Sequence, residues 1–278
     1  MNNAKEDFHS LQEQAKMVLI RLLKEYFGKE IEQFSDYLPD LLEQLWNVRL
    51  VEDQELRKLG LDCLCEAERD LQSCRVLYSK KIYAHATYHF QQAVEKATKG
   101  YMWGFGLLTK DKKSETHKSP KLFLMVLEKT SLISWASQLP DAGIKTIIGK
   151  AKQIIDKPEH PDIALMSYEE IDGLISKIDM YRDKTRPMVE AIFRQISNIT
   201  SIKSQPPPLL QALSATVVLF VLSIITLPHE AYTRYPDGKV LPSDYTANLG
   251  VVRTIPKMTK YLEPEIHSLK TVISRKTA

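Results

Sequence analysis

The stretch from Tyr83 to Leu108, YAHATYHFQQAVEKATKGYMWGFGLL, restricts the possible folds more than any other part of the chain. It contains no proline, and its glycines fall only near its end. On a helix turning about 100° per residue, Tyr83, Thr87, Phe90, Val94, Ala97, Tyr101, Phe105 and Leu108 form one stripe. That is the spacing of a helix packed in a bundle. The reverse side carries His85, His89, Gln92, Lys96 and Lys99, but also Trp103 and Leu107. Leaving the last two in water forgoes roughly 1.5–3 kcal/mol each. A second contact surface is therefore expected, covered by another part of the chain, a ligand or a partner.

The rest of the chain favours more helices. Only 10 of its 278 residues are glycine, 44% are hydrophobic and 26% charged, and no long alternation of polar and apolar residues occurs. This is the composition of a globular all-α protein. A formal charge of +3 does not demand a nucleic-acid partner, though it permits a local basic patch. The 3 cysteines, Cys63, Cys65 and Cys74, fit a reducing compartment better than a disulfide scaffold. On one helix Cys63 and Cys65 point about 200° apart, so no zinc site is expected from them. The first residues, MNNAKEDFHS, lack the order of a secretory signal. A cytoplasmic location is expected.

Before the organising stretch, residues 1–55 read as a helical extension, with Leu11, Ala15, Val18, Leu22 and Tyr26 at helical spacing. A further helix from Glu55 leads to the short link Lys80-Lys81-Ile82, which predicts antiparallel neighbours. A polar break follows Leu108, and a Leu-rich run resumes at Leu122. Within residues 131–205, Ser167 and Glu170 have capping-box spacing, and Ile171, Leu174, Ile175, Ile178 and Tyr181 continue it as a helix. Pro187 is expected to start or kink another. Residues 209–227 form an uncharged run long enough to raise a transmembrane reading; a central buried helix is the expectation preferred here. A last helix places Leu249, Val252, Ile255, Met258, Leu262, Ile266, Leu269 and Ile273 at intervals of three and four, with a bend expected from Pro256 and Pro264.

Particular wording within these helices resembles a known family. His89-Phe90-Gln91-Gln92-Ala93-Val94-Glu95-Lys96-Ala97-Thr98-Lys99-Gly100 is similar to the second helix of the HEPN domain (higher eukaryotes and prokaryotes nucleotide-binding). The acidic helix before it, and Thr116-His117 with Ser119 and Leu122 after it, resemble neighbouring parts of that domain. So does Tyr232-Thr233-Arg234-Tyr235-Pro236-Asp237, at the exit of the apolar run. The resemblance implies an all-α, HEPN-like up-and-down bundle in two parts, 56–130 and 206–278. Residues 131–205 would be a helical insertion and 1–55 an N-terminal extension. Because both flanks of 209–227 resemble one domain, the resemblance also opposes a membrane-spanning role for that run.

The family implies a nucleotide or RNA as ligand. The expected binding residues are Arg234, Tyr235, Lys96, Lys99 and Gln92, with the guanidinium lying between the phenol rings of its motif. Many HEPN proteins are ribonucleases that carry an arginine a few residues before a histidine. None of His9, His85, His89, His117, His160, His229 or His267 follows an arginine at that spacing, so the chain is read as non-catalytic. The alternative is a metal-independent endoribonuclease using Arg234 and His229 at a dimer interface; a third reading is a helical membrane protein. His85 and His89, one turn apart, lack a third ligand, and no phosphate-binding loop occurs. Neither metal nor cofactor is expected. The resemblance further implies a homodimer and a small nucleotidyltransferase partner, as in toxin–antitoxin pairs.

Overall fold

In a computed structural model, residues 51–108, 161–180, 207–236 and 240–274 are described, with isolated positions between 183 and 190. The expectations for residues 1–50 and for His117 and the Leu-rich run beyond it lie outside the described residues. So do Asp237 and Gly238. Of the helix expected at Pro187 only Pro187 and Glu190, both helical, are described.

The described elements are α1 (Gln54–Ser79), α2 (Tyr83–Gly104), α3 (Pro161–Ala164), α4 (Tyr168–Met180), α5 (Pro207–Thr226), α6 (His229–Tyr232) and α7 (Gly250–Ser274). A 3-10 turn, Pro242–Asp244, precedes α7, and no strand occurs among the described residues. The chain is all-α, as its composition predicts.

Asp53 starts α1 by accepting from the backbone N–H of Glu55 at 2.8 Å and of Leu56 at 3.2 Å, which satisfies two otherwise orphaned donors. At the other end Lys81 adopts a left-handed conformation with φ 61°. The Ile82 N–H then reaches the Leu77 carbonyl at 2.9 Å, and the chain reverses within the predicted link. The two helices run antiparallel, since the start of α1 meets the end of α2. A Cβ built on Gly60 would lie 3.0 Å from the Gly100 carbonyl oxygen. Two backbones so close leave no room for side chains at the crossing.

The predicted stripe on α2 faces the core. Thr87, Phe90, Val94, Ala97, Tyr101, Phe105 and Leu108 are buried, with Tyr83 partly so. The helix stops at Gly104, short of Leu108, and Gly106 turns the chain at φ 65°. Of the covers expected for the second surface, another part of the chain is the one found. Trp103 is only 5% exposed within the single chain, and a Cβ on its neighbour Gly104 would meet Ile273 of α7. Cover comes from the same polypeptide, so Trp103 supplies no reason for a second copy.

From Ser214 to Leu227, α5 and the turn after it are buried apart from Thr216 and Val217, which are half-buried. A helix apolar on nearly every face belongs at the centre of a bundle, and α5 packs against α2, α4 and α7. No described helix is long and apolar enough to cross a membrane. On α7 the predicted residues Val252, Ile255, Met258, Leu262, Ile266, Leu269 and Ile273 are buried, while Pro256 and Pro264 face outward. The capping box forms: Ser167 N–H reaches Glu170 at 2.8 Å and Glu170 N–H reaches Ser167 Oγ at 3.2 Å. Ile171, Ile175 and Ile178 of α4 are fully buried in the shared core. Asp172 and Asp179 bind Lys257 and Tyr261 of α7. The segment expected as an insertion thus supplies a helix of the common core.

One polar cluster lies between α5 and α7. Glu265, 4% exposed, accepts from Ser214 Oγ at 2.5 Å and from Gln211 Nε2 at 2.7 Å, and Ser268 donates to Gln211. Such a cluster fixes the register of two otherwise greasy helices. Glu265→Ala orphans its donors at about 1–3 kcal/mol each. A urea midpoint unchanged by this substitution would show that α5 and α7 do not pack in this register.

Candidate nucleotide-binding site

The apolar α5 ends at Thr226, and the short α6 carries the chain outward. The Thr233 hydroxyl donates to the His229 carbonyl at 2.6 Å, while the N–H groups of Arg234 and Tyr235 both reach the Ala231 carbonyl at 3.1 Å. This winding projects Arg234 against α2. Its guanidinium carbon lies 5.4 Å from the ring centre of Tyr88 and 5.2 Å from that of Tyr235, within cation–π range. Arg234 Nε also donates to the Glu230 carbonyl at 3.1 Å, and its terminal nitrogen lies 3.3 Å from the Glu230 carboxylate. These bonds brace the guanidinium without hiding it: 40% of the side chain remains exposed.

Arg234 braces its own turn through Glu230, and only one of the two rings beside it, Tyr235, is from the expected motif. Tyr232 is buried at 4% exposure, and Tyr88 of α2 takes its place. Sequence reasoning missed Tyr88. The available signal was helical spacing, since Tyr88 shares a face of α2 with Gln92 and Lys99.

The other expected binding residues are less free. Lys96 Nζ bonds Asp70 of α1 at 2.6 Å, Lys99 Nζ bonds Glu95 at 2.6 Å, and Gln92 donates to Gln91 at 2.6 Å. Each lysine is paired with a carboxylate, so the face carries less positive charge than its sequence implies. Tyr88 and Lys99 are about 16 Å apart along the helix axis. Arg234, Tyr235 and Tyr88 form a shelf at one end, with Gln92, Lys96 and Lys99 strung along α2 from it. A groove of about 450 Å³ lies between α1 and α7, lined by Glu68, Leu71, Arg75, Glu263 and His267 among others. It includes none of these binding residues.

His229 does not join Arg234. It is fully buried, its Nδ1 lies 2.7 Å from the Tyr245 hydroxyl, and its Nε2 has no partner among the described residues. Burial pushes its pKa down to about 3, because the core disfavours an imidazolium. A neutral, enclosed imidazole presents no nitrogen to an RNA lying on the surface. The expected Arg234–His229 catalytic pair is not assembled in this arrangement. Burial also holds the Cys74 thiol up at about 12, far from a reactive thiolate. Among the described residues no group of three His, Cys, Asp or Glu side chains is placed to hold a metal ion.

The HEPN domain model matches residues 61–138, a span that takes in most of α1, all of α2 and the residues after them. No curated protein and no solved structure matches the chain. The match covers the helix that provides Tyr88, Gln92, Lys96 and Lys99. Arg234 and Tyr235 lie beyond it. Their connection with the HEPN part is physical, through the contact of Arg234 with Tyr88.

Proposed function

We propose that this protein is a HEPN-type nucleotide- or RNA-binding protein that uses the shelf of Arg234, Tyr88 and Tyr235. The observation that carries the reading is the exposed guanidinium held between two rings. A planar cation flanked by aromatic faces suits a phosphate beside an unstacked base, through charge-assisted hydrogen bonds and stacking. Glu230 supports this role by fixing the guanidinium before a ligand arrives, which lowers the ordering cost of binding. The ion-paired Lys96 and Lys99 belong to the flank of the site rather than its centre.

The site acts by binding rather than by the Arg234–His229 chemistry, since His229 is enclosed. A small nucleotidyltransferase as partner and a homodimer accompany this proposal as consequences of the family resemblance, and a cytoplasmic setting follows from the cysteine usage and the first residues.

The test is anisotropy of a short labelled single-stranded RNA, with ATP as competitor. Arg234→Ala is expected to weaken binding about tenfold or more and to reduce the salt slope by about one phosphate contact. Arg234→Lys keeps the charge but loses the planar stack, and should fall between the two. Arg234→Ala binding as tightly as the parent protein would refute the shelf as the site. Cleavage of the same RNA by the parent protein would refute the non-catalytic reading.

A further inference from the structure

Beside the shelf, one carboxylate of α1 organises two basic side chains of α2. Asp70 meets His89 Nδ1 at 2.8 Å with one oxygen and Lys96 Nζ at 2.6 Å with the other. Asp70 is nearly enclosed, at 13% exposure, while His89 and Lys96 keep 30% and 31%. The His89 ring lies 5.5 Å from the Tyr88 ring, edge to face. Tyr88 is also the ring that carries Arg234. His89 is therefore one aromatic ring away from the guanidinium.

The hydrogen bond fixes the tautomer. An ionised carboxylate can only accept, so the proton sits on Nδ1 of His89. Neutral His89 then offers Nε2 as a bare lone pair. That atom has no hydrogen-bond partner among the described residues and is not sealed from solvent. A lone pair cannot donate to a phosphate oxygen. Protonation converts it into a charged N–H donor at the same place. The local charge changes in step, because Lys96 already cancels Asp70 and the His89 proton tips the cluster to positive.

We propose that His89 is a proton-gated phosphate subsite, which grips the backbone of the nucleic acid whose neighbouring group rests on the Arg234 shelf. The proposal rests on the RNA- or nucleotide-binding reading above and adds a residue and a condition to it. The groups placed about His89 are Asp70 from α1, Lys96 of α2 through the same carboxylate, and, across the Tyr88 ring, Arg234 with the Glu230 carboxylate that pairs it from α6; His85 stands one helical turn earlier on α2. The bonds from α5 to α2 pair Ser223 with Thr98 and Thr216 with Tyr101, and α7 meets Gly104 through Ile273. These lie toward the other end of α2 and bring no titrating group to the imidazole.

The experiment measures the affinity of the full chain for a labelled single-stranded RNA at about pH 5.5 and pH 8, at constant ionic strength. The unsubstituted protein should bind about three- to tenfold more tightly at the lower pH. In His89→Gln the two affinities should agree within about twofold. His85→Gln should retain the pH ratio, and Arg234→Ala should weaken binding at both pH values while also retaining it. Circular dichroism checks that each variant folds. Should His89→Gln fail to fold, the imidazole resonance of His89 in the parent protein replaces it. Inorganic pyrophosphate should then raise the titration midpoint, and an unmoved midpoint counts against the subsite.

RNA binding that ignores pH, that tightens at high pH, or that keeps its ratio in His89→Gln overturns the subsite and leaves the shelf standing. No RNA binding at either pH overturns both.

Discussion

Gly250→Ala is expected to destabilise the protein by about 3 kcal/mol, the upper end for overpacking, although alanine is the better helix former by roughly 1 kcal/mol. Gly250 is the first residue of α7, where the helix presses on the link between α3 and α4. A Cβ there would lie 2.2 Å from the Met166 carbonyl oxygen, 2.8 Å from the Ser167 carbonyl carbon and 2.9 Å from the Tyr168 nitrogen. All three are backbone atoms, so no side chain can swing aside. Relief would require moving the capped start of α4, and with it Ile171 and Ile175 in the core. Gly173 provides the control, because a Cβ there meets nothing within 4 Å. Gly173→Ala should stabilise by about 0.5–1 kcal/mol. Urea denaturation of both variants checks the pair. A Gly250→Ala protein as stable as the parent would mean that α7 does not meet the α3–α4 link in this way.

The buried histidine should make stability fall steeply in acid. His229 has a pKa of about 3 in the folded chain, against its ordinary 6.5. Between these values the unfolded chain takes up a proton that the folded chain refuses. Falling pH therefore favours unfolding, and this contribution to stability is intact only above about pH 6.5. Below that it is lost at about 1.4 kcal/mol per pH unit, or roughly 2–3 kcal/mol by pH 4.5. His229→Asn retains a polar atom for the Tyr245 hydroxyl but does not titrate. It should be less stable at neutral pH, yet lose about 2–3 kcal/mol less than the parent between pH 7 and 4.5. Urea midpoints at the two pH values, compared between the proteins, decide it. Equal acid sensitivity in both would show that His229 is hydrated or already charged in the folded state.

His229 also marks where sequence reading lost its grip on the site. Its nearness to Arg234 along the chain made a pair plausible. Four residues of helix and a turn can place two side chains on one side or on opposite sides, and here one turned into the core. Tyr88 shows the converse. It stands far from Arg234 in sequence, and only the seating of α6 against α2 brings the ring under the guanidinium. The same contact puts His89 beside the shelf, while Asp70 across the helix pair decides which of its nitrogens faces outward.

The sequence by itself determined the helices, the antiparallel pairing of α1 with α2, the buried α5 and the similarity of the region around α2 to the HEPN domain. Those properties are periodic or local: apolar residues every three or four positions, a capping Ser and Glu, a link too short for anything but reversal. Only the tertiary structure decided what covers Trp103, that α4 belongs to the common core, and which charges on α2 are already paired. These depend on the approach of chain segments distant in sequence. Close approach is set by the sum of many small packing terms, which no single spacing in the sequence records.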